Sequence, residues 1–211
     1  MPYTADFLRA ELMAHIEDRD RGGAVAVALE TIRAGALTVP ELYDLLSDLL
    51  AEVGASWSRG ETEVWQEHYT TAVVRTIVGA CQPLVAERVG EPNGLTVILA
   101  TPAEEYHDLG VRMMADRFAL AGWSAQLLGA NVPLDELVHA VGSLEADAVV
   151  LSAYTHFHRV TLRHYVDTLS ERHPHLRIWV GGAAFALEHD GWSDEMMLEP
   201  DDVPSLAGQV G

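Results

Sequence analysis

The sequence contains no lysine, and arginine supplies all 13 of its cationic side chains against 32 aspartates and glutamates. The resulting formal net charge of −19 makes the chain repel phosphate backbones and anionic membrane surfaces. We therefore expect that it neither binds nucleic acid directly nor lies on a membrane.

Cysteine is nearly absent as well. A single residue, Cys81, excludes a framework of disulfides and a cysteine-based zinc site, and we interpret it as a small buried hydrophobic residue. The N-terminal segment lacks the cationic stretch and apolar run of a signal peptide. No apolar run approaches the roughly 18 residues that cross a membrane. These absences favour a cytoplasmic protein.

Hydrophobic residues, by contrast, make up 49% of the 211 residues, which is ample for a folded core. The length suffices for two small domains. The hydrophobic pattern changes at residues 89–94, a stretch rich in glycine, proline and asparagine that we interpret as a linker. We therefore predict two domains, at residues 1–90 and 91–211.

Helical spacing dominates the first predicted domain. Apolar residues recur on one helix face in segments 7–16, 25–32 and 42–53, and a longer helical segment runs from about residue 61 to 85. Pro40 fits the first turn of the third segment. Amphipathic helices with short connections predict a small four-helix bundle.

Short apolar runs alternate with helical stretches in the second predicted domain. This alternation predicts a parallel sheet covered on both faces, a Rossmann-like (flavodoxin-like) α/β fold. Ligands of such sheets bind beyond the carboxyl ends of the strands. We predict strands at 95–100, 124–128, 148–152 and 178–181, a weaker strand at 196–198, and helices at 109–121, 134–144 and 160–172.

Three short motifs fall at those strand ends with a defined spacing. Glu105-x-His107-x-x-Gly110 is followed by 41 residues, then by Ser152-x-Tyr154, by 26 residues and by a glycine pair at 181–182. This combination resembles the signature of the cobalamin-binding domain of methionine synthase, corrinoid methyl carriers, mutases and cobalamin photoreceptors. The resemblance covers the whole second half of the chain.

The resemblance implies a role for each motif residue. His107 would bind the lower face of cobalt in place of the dimethylbenzimidazole of the cofactor, and an imidazole nitrogen suits cobalt. Glu105 would fix the tautomer and basicity of that ligand. Gly110 would let the helix start pass close to the nucleotide tail. The family often has aspartate where Glu105 stands, and leucine or threonine where Tyr154 stands.

The remaining motif residues would hold the displaced nucleotide tail. Ser152 would form a hydrogen bond with the benzimidazole, and Gly181 and Gly182 would leave room for the tail because a Cβ would collide with it. The other residues that we place at the cofactor are Asp108, Leu109, Val111, Tyr154 and Thr155.

A second motif lies in the helical half. Trp57 is followed by nine residues and then by Glu67 and His68. This resembles the Trp-x9-Glu-His motif of CarH-type photoreceptors, which implies that these residues line a pocket for the 5′-deoxyadenosyl group of adenosylcobalamin. In that family green light breaks the cobalt–carbon bond and the bundle repacks. Alternatively, Trp57 and Trp65 belong to the bundle core, and the Glu-His pair to an exposed polar face.

Two departures from that family bear on the output. CarH-type regulators begin with a basic DNA-binding domain, whereas this sequence starts with the bundle, so we expect a separate output protein. Ser58 stands where those regulators have the histidine that captures cobalt after photolysis. The layout is also similar to that of photocobilins, which implies biliverdin as a second chromophore.

Several other histidines have no assigned role. His156 and His158 either contact Glu105, line a pocket or begin a helix with solvated rings, and we favour the last interpretation. We expect His164, His173, His175 and His189 to lie on the surface and Glu104 to be solvated.

We therefore expect a homo-oligomeric light sensor, dimer or tetramer, that binds adenosylcobalamin between bundle and sheet and is not an enzyme. The alternative is the corrinoid protein of a methyltransferase system, which shuttles a methyl group and does not carry the Trp/Glu-His motif. A mutase subunit is a weaker interpretation, since it would need a large barrel chain.

Overall fold

The computed structural model describes residues 4–186 and 191–210. The chain divides into two compact units, Met1–Glu87 and Arg88–Gly211. The stretch at 89–94 that we interpreted as a linker directly follows this division. Within the described residues, no helix is both long enough and apolar enough to cross a membrane.

The first unit is helical, as the sequence predicts. Its described residues form α1 (Ala5–Glu17), α2 (Arg21–Arg33), α3 (Val39–Ser58) and α4 (Val64–Ala86). The start of α3 shows why the helices begin where they do: Thr38 accepts a hydrogen bond from the Glu41 backbone N–H, and the Glu41 carboxylate accepts one from the Thr38 N–H. These hydrogen bonds lower the pKa of Glu41.

The apolar faces of these helices meet in one core. Each large aliphatic side chain buried there contributes about 1.5–3 kcal/mol to folding, before the cost of ordering the chain. Fully buried members include Leu8, Leu12, Ala28, Leu42, Leu46, Val73, Val74, Ile77 and Cys81.

The second unit alternates strands and helices. Its elements are β1 (Thr96–Pro102), α5 (Leu109–Leu120), β2 (Ser124–Val132), α6 (Leu134–Ser143), β3 (Ala148–Ser152), α7 (His158–Arg172) and β4 (Arg177–Gly181). The strands form one parallel sheet in the order β2-β1-β3-β4. The predicted Rossmann-like α/β fold is confirmed.

The prediction of a strand at 196–198 is wrong. Met197 forms only an isolated parallel bridge with Val180 of β4. A short 3-10 segment, Asp194–Met196, directly precedes this bridge, and another begins at Pro200. The next residue, Leu198, donates its backbone N–H to the Val180 carbonyl and packs in the core on the α5 side of the sheet, so this segment contacts the sheet edge through single residues.

Alternate side chains of the buried strands supply two cores, one on each face of the sheet. In β1, Val97 and Leu99 pack on the face that α5 covers, and Ile98 packs on the face that α6 and α7 cover. An aromatic cluster of Phe118, Trp123 and Trp179 fills the α5 side. Strands buried on both faces are fixed in register, so the loops at their carboxyl ends rest on a rigid base.

Candidate functional site

The loop after β1 wraps back onto the sheet and buries Glu105. Its backbone N–H donates to the Pro102 carbonyl over 3.1 Å, and its own carbonyl accepts from the Thr101 hydroxyl at 2.6 Å and from the Asn131 N–H at 3.0 Å. The hydroxyl of Tyr165 in α7 also holds this loop, because it accepts a hydrogen bond from the Ala103 backbone N–H. The backbone of Glu105 is therefore fixed by hydrogen bonds to residues of both β1 and β2.

The carboxylate of Glu105 is buried but well supplied with donors. Oε1 lies 3.0 Å from the His107 backbone nitrogen and 2.6 Å from its Nδ1. Oε2 lies 2.8 Å from the Tyr154 backbone nitrogen and 2.9 Å from the Nδ1 of His158. Burial alone would raise the pKa of Glu105, but the backbone N–H groups of Tyr154 and His107 and the His107 imidazole outweigh it, so that the pKa falls below its ordinary value.

His107 is thereby oriented with one ring nitrogen inward. Because Nδ1 donates to Glu105, Nε2 carries the lone pair and is the nitrogen available to a metal. The side chain is 56% exposed, and Tyr154 stacks on it with ring centroids 4.3 Å apart and planes 21° apart. The stack and the carboxylate together limit the rotation of the imidazole.

Ser152 and the glycine pair meet at the ends of β3 and β4, where Ser152 pairs with Gly181. Gly182 has a φ of 101°, and a Cβ there would lie 2.4 Å from the Ala153 carbonyl oxygen and 2.5 Å from the Ser152 Oγ. A Cβ at Gly181 would approach the Leu198 carbonyl oxygen to 3.1 Å. These close approaches require glycine at both positions whatever the ligand, and the room that the glycines leave for the nucleotide tail stays a prediction.

The residues at the start of α5 differ in what they can offer. A Cβ at Gly110 would meet nothing within 4 Å, so the helix start is open there. Val111 is 1% exposed and packs in the core on the α5 side of the sheet, and Leu109 is also buried. Asp108 is buried and pairs with Arg112, with Oδ2 and Nε 2.6 Å apart.

His158 corrects the interpretation of the histidines after β3. We interpreted it as a solvated helix start, but its side chain is 21% exposed and its Nδ1 reaches both Glu105 and the Thr155 hydroxyl, the latter at 2.7 Å. His156 is exposed and faces Arg159. Proximity of His158 to Glu105 was one of the alternatives that the sequence left open, and the structure supports it.

The remaining expectations for polar residues are mostly confirmed. Glu104, His164 and His175 are exposed. The prediction for His173 holds less well. Its side chain is partly buried, and its Nε2 lies 3.2 Å from the Val138 carbonyl oxygen. His189 lies outside the described residues.

The motif of the helical unit lies where α3 ends and α4 begins. Trp57 is 49% exposed and Trp65 is 54% exposed, so the interpretation of both as bundle core is wrong. Glu67 contacts the Nδ1 of His68 at 2.5 Å and accepts from the Thr71 hydroxyl at 2.9 Å. The motif thus presents an indole, a carboxylate and an imidazole on the surface of this unit.

The side chains of the second unit suit a metal ion that is already bound within a cofactor. In the described part of the chain, no group of three or more histidines, cysteines, aspartates or glutamates could hold a free metal ion. Cobalt in a corrin ring needs one protein ligand, and an exposed imidazole with its other nitrogen fixed by a buried carboxylate fits that need.

Several known proteins are similar to most of this chain. A relative in Myxococcus xanthus, the HTH-type transcriptional repressor CarH, is 30% identical over 184 residues, which is 85% of this chain and 59% of the repressor. The trimethylamine corrinoid protein of Methanosarcina barkeri is 24% identical over 86% of this chain and 83% of its own length. The structure of the monomethylamine corrinoid protein of the same organism superimposes with a TM-score of 0.79 at 18% identity, covering 94% of this chain and 95% of that one.

Models of B12 binding domains match both halves of the sequence, at residues 8–82 and at residues 95–202. The second match alone spans more than half of the chain and contains every motif residue of the α/β unit. The chain belongs to the B12-binding domain family, and its cofactor is a cobalamin.

Proposed function

We propose that this chain is a cobalamin-dependent light sensor that binds adenosylcobalamin, with His107 as the lower ligand of cobalt. The observation that carries the ligand assignment is the pair formed by the exposed His107 imidazole and the buried Glu105 carboxylate, 2.6 Å apart. A surface histidine has no need of a buried carboxylate unless its orientation matters.

The chain contributes orientation and basicity to this ligand. Glu105 holds the proton on Nδ1, which keeps the lone pair on Nε2 and makes that nitrogen a stronger donor. Tyr154 limits the tilt of the ring by stacking on it. Both effects are present before the cofactor binds, so that binding costs less ordering of the protein.

We propose that Trp57, Glu67 and His68 contact the adenosyl group of the cofactor. The exposed indole offers an apolar face, and the Glu67–His68 pair offers an acceptor and a donor for ribose and adenine edges. Trp57 and His68 are exposed and Glu67 is partly exposed, which supports this role, because a residue committed to the bundle core could not serve it.

Adenosylcobalamin supplies a cobalt–carbon bond that green light breaks. The protein itself would hold the adenosyl group in the dark. It would change conformation or assembly once the contact between Trp57 and the adenosyl group is lost. The 30% identity to CarH supports this proposal, although the chain spans only 59% of the length of that repressor. We extend the proposal to a homo-oligomer, to biliverdin as a second chromophore and to a separate protein as the output, with no enzymatic activity.

A methyl carrier of a methyltransferase system is the second candidate. It is favoured by the corrinoid relatives, of which the chain covers 83% in length. In that case Trp57, Glu67 and His68 would have no adenosyl group to hold, and the protein would prefer no alkyl form of the cofactor.

Reconstitution in darkness separates the two candidates. The purified chain is mixed with adenosylcobalamin, with and without biliverdin, separated from free ligand by gel filtration, and its absorption and elution volume are recorded before and after green and red light. The sensor predicts retained adenosylcobalamin, a permanent spectral change under green light and a shift in elution volume. A red-absorbing band that stays with the protein would identify the bilin.

Cobalamin that is retained equally in its adenosyl, methyl and hydroxo forms, with an elution volume that green light does not change, would contradict the sensor and favour the carrier. Hydroxocobalamin serves as the dark and light control, because it has no alkyl group to lose.

A further inference from the structure

The two edges of the parallel sheet differ in how they are protected. Beside β4, Met197 forms a bridge with Val180, and the Leu198 N–H donates to the Val180 carbonyl over 2.9 Å. The Arg177 guanidinium adds a hydrogen bond to the Glu195 carbonyl. Among the described residues, no segment pairs in this way with the outer side of β2. An edge strand that is open on one side can accept a further strand.

The open edge of β2 carries no charge. Residues 118–134 form the longest stretch of the sequence without an aspartate, glutamate, lysine or arginine, in a chain of formal net charge −19. Leu127 and Leu128 of this edge are 36% and 40% exposed. Edge strands are commonly protected from pairing by charged side chains or by proline. β2 has neither of these between Ser124 and Val132.

The hydrogen-bonding direction of the strand shows which backbone groups this edge offers. The Ser124 N–H donates to the Leu95 carbonyl on the β1 side, and successive residues of a strand alternate in direction. The N–H and C=O groups of Ala125 and Leu127 therefore point away from β1, with Gln126 between them. This part of β2 is regular, since the first register shift against β1 follows Leu127.

We propose that β2 is a self-association surface through which two copies of this chain join their sheets. An antiparallel pairing centred on Gln126 is self-complementary, because Ala125 of each copy faces Leu127 of the other and exchanges both backbone hydrogen bonds with it. Gln126 then lies directly opposite Gln126 of the second copy. The outward backbone groups of both strands are satisfied by this one arrangement.

Charge favours a second copy as the occupant of this edge. A two-fold contact brings each residue close to its own counterpart, so an uncharged stretch of an acidic chain can meet itself without like-charge repulsion. A partner recognised by electrostatic complementarity would instead need a charged strand to meet. This surface would serve the homo-oligomer proposed above and rests on that proposal, but it requires no response to light.

The dissociation constant of the dimer tests this surface. It is measured by sedimentation velocity of the full chain in darkness, with and without adenosylcobalamin. Gln126→Glu and Gln126→Arg each place two like charges opposite one another, and we expect each to raise the dissociation constant by about fivefold or more. An equimolar mixture of the two variants pairs opposite charges and should recover the wild-type value.

The matched controls change the net charge in the same way at a different place. Gln209→Glu and Gln209→Arg alter an exposed glutamine outside β2 and should leave the dissociation constant unchanged. Hydrogen exchange of the wild type adds a readout that needs no substitution. The amides of Ala125 and Leu127 should become protected as the protein concentration rises through the dissociation constant, whereas the amide of Ser124, already bonded to Leu95, should not respond.

Each contrary result has a distinct meaning. A dimer that both Gln126 variants leave unchanged would overturn the surface while the homo-oligomer stands. Weakening by both variants without recovery in their mixture would also overturn it, since the charges then do not face each other. A wild-type chain that stays monomeric would overturn the surface together with the homo-oligomer, whereas the spectral change under green light decides the sensor independently.

Discussion

The two units place their motif residues in opposite settings. In the α/β unit, Glu105 is fully buried and bridges His107 to the loop after β3. In the helical unit, Trp57 and His68 are exposed, and Glu67 bonds to its own helix neighbours. In the first arrangement a buried carboxylate holds the His107 imidazole in one orientation, whereas the second consists of partly or fully exposed side chains with local contacts. Substitutions in the motif of the α/β unit should therefore lower its stability. Substitutions in the motif of the helical unit should instead lower the affinity for the cofactor.

The largest loss of stability is expected for Gly182→Ala in the α/β unit. Its backbone conformation belongs almost solely to glycine, and a Cβ would strike the Ala153 carbonyl oxygen and the Ser152 Oγ. We expect a loss of about 3 kcal/mol in the free energy of unfolding, measured by urea denaturation.

Gly94→Ala is the matched control for this substitution. Gly94 also has a positive φ, of 81°, but a Cβ there meets nothing within 4 Å. Strain without collision should cost about 1 kcal/mol. Equal losses at both positions would show that the conformation, and not the packing at the strand ends, requires the glycine.

A smaller effect is expected for Glu105→Gln, which keeps the shape and removes the charge. Hydrogen bonds to a charged acceptor contribute about 2 kcal/mol, so the variant should be less stable by roughly that amount at neutral pH. Because the folded-state pKa of Glu105 lies below its ordinary value, this stability is present above the unfolded-state pKa and is lost as the pH falls through the folded-state pKa.

Urea denaturation of the wild type and Glu105→Gln between pH 7 and pH 3 tests this dependence. The difference between them should shrink as the medium becomes more acidic than the ordinary glutamate pKa of about 4.3. Glu104→Gln, an exposed neighbour, should stay within about 0.5 kcal/mol of the wild type throughout. A difference that grows on acidification would contradict the assigned charge state.

The smallest effect on stability, but a clear one on binding, is expected for Trp57→Ala. The half-exposed indole should contribute about 1.4 kcal/mol to adenosylcobalamin binding, which is about a tenfold change in Kd. Hydroxocobalamin should be affected much less. Trp65→Ala, with a similarly exposed indole at one of the nine unspecified positions between Trp57 and Glu67, is the matched control. Equal losses for both ligands would assign Trp57 a purely structural role.

The difference between the units also explains what the sequence could predict. The apolar strand runs predicted the parallel sheet, and the rule that ligands bind at carboxyl ends brought Glu105, Ser152 and Gly181 to one edge. Sequence could not show that β2 continues to Val132, because Gly129 and Asn131 adopt positive φ values and shift its register against β1. A strand rule based on alternation stops at such an irregularity.

For two residues the sequence left alternatives open that only the structure decides. His158 resembles any histidine at a helix start, and its contact with Glu105 exists because the loop after β3 folds back over a residue 53 positions earlier in the chain. Trp65 is large and apolar, yet it lies at the first turn of α4 with its ring beneath the Arg19 guanidinium rather than in the bundle core. Contacts between segments distant in sequence decide both cases.

The most direct test of the central claim is the absorption spectrum of cobalamin bound to His107→Ala and to the wild type. Both proteins are loaded with adenosylcobalamin in darkness and freed of excess ligand. If His107 is the lower ligand, the wild type shows a histidine-bound cobalt spectrum that His107→Ala lacks, whereas His156→Ala retains it. Identical spectra for the wild type and His107→Ala would contradict the account.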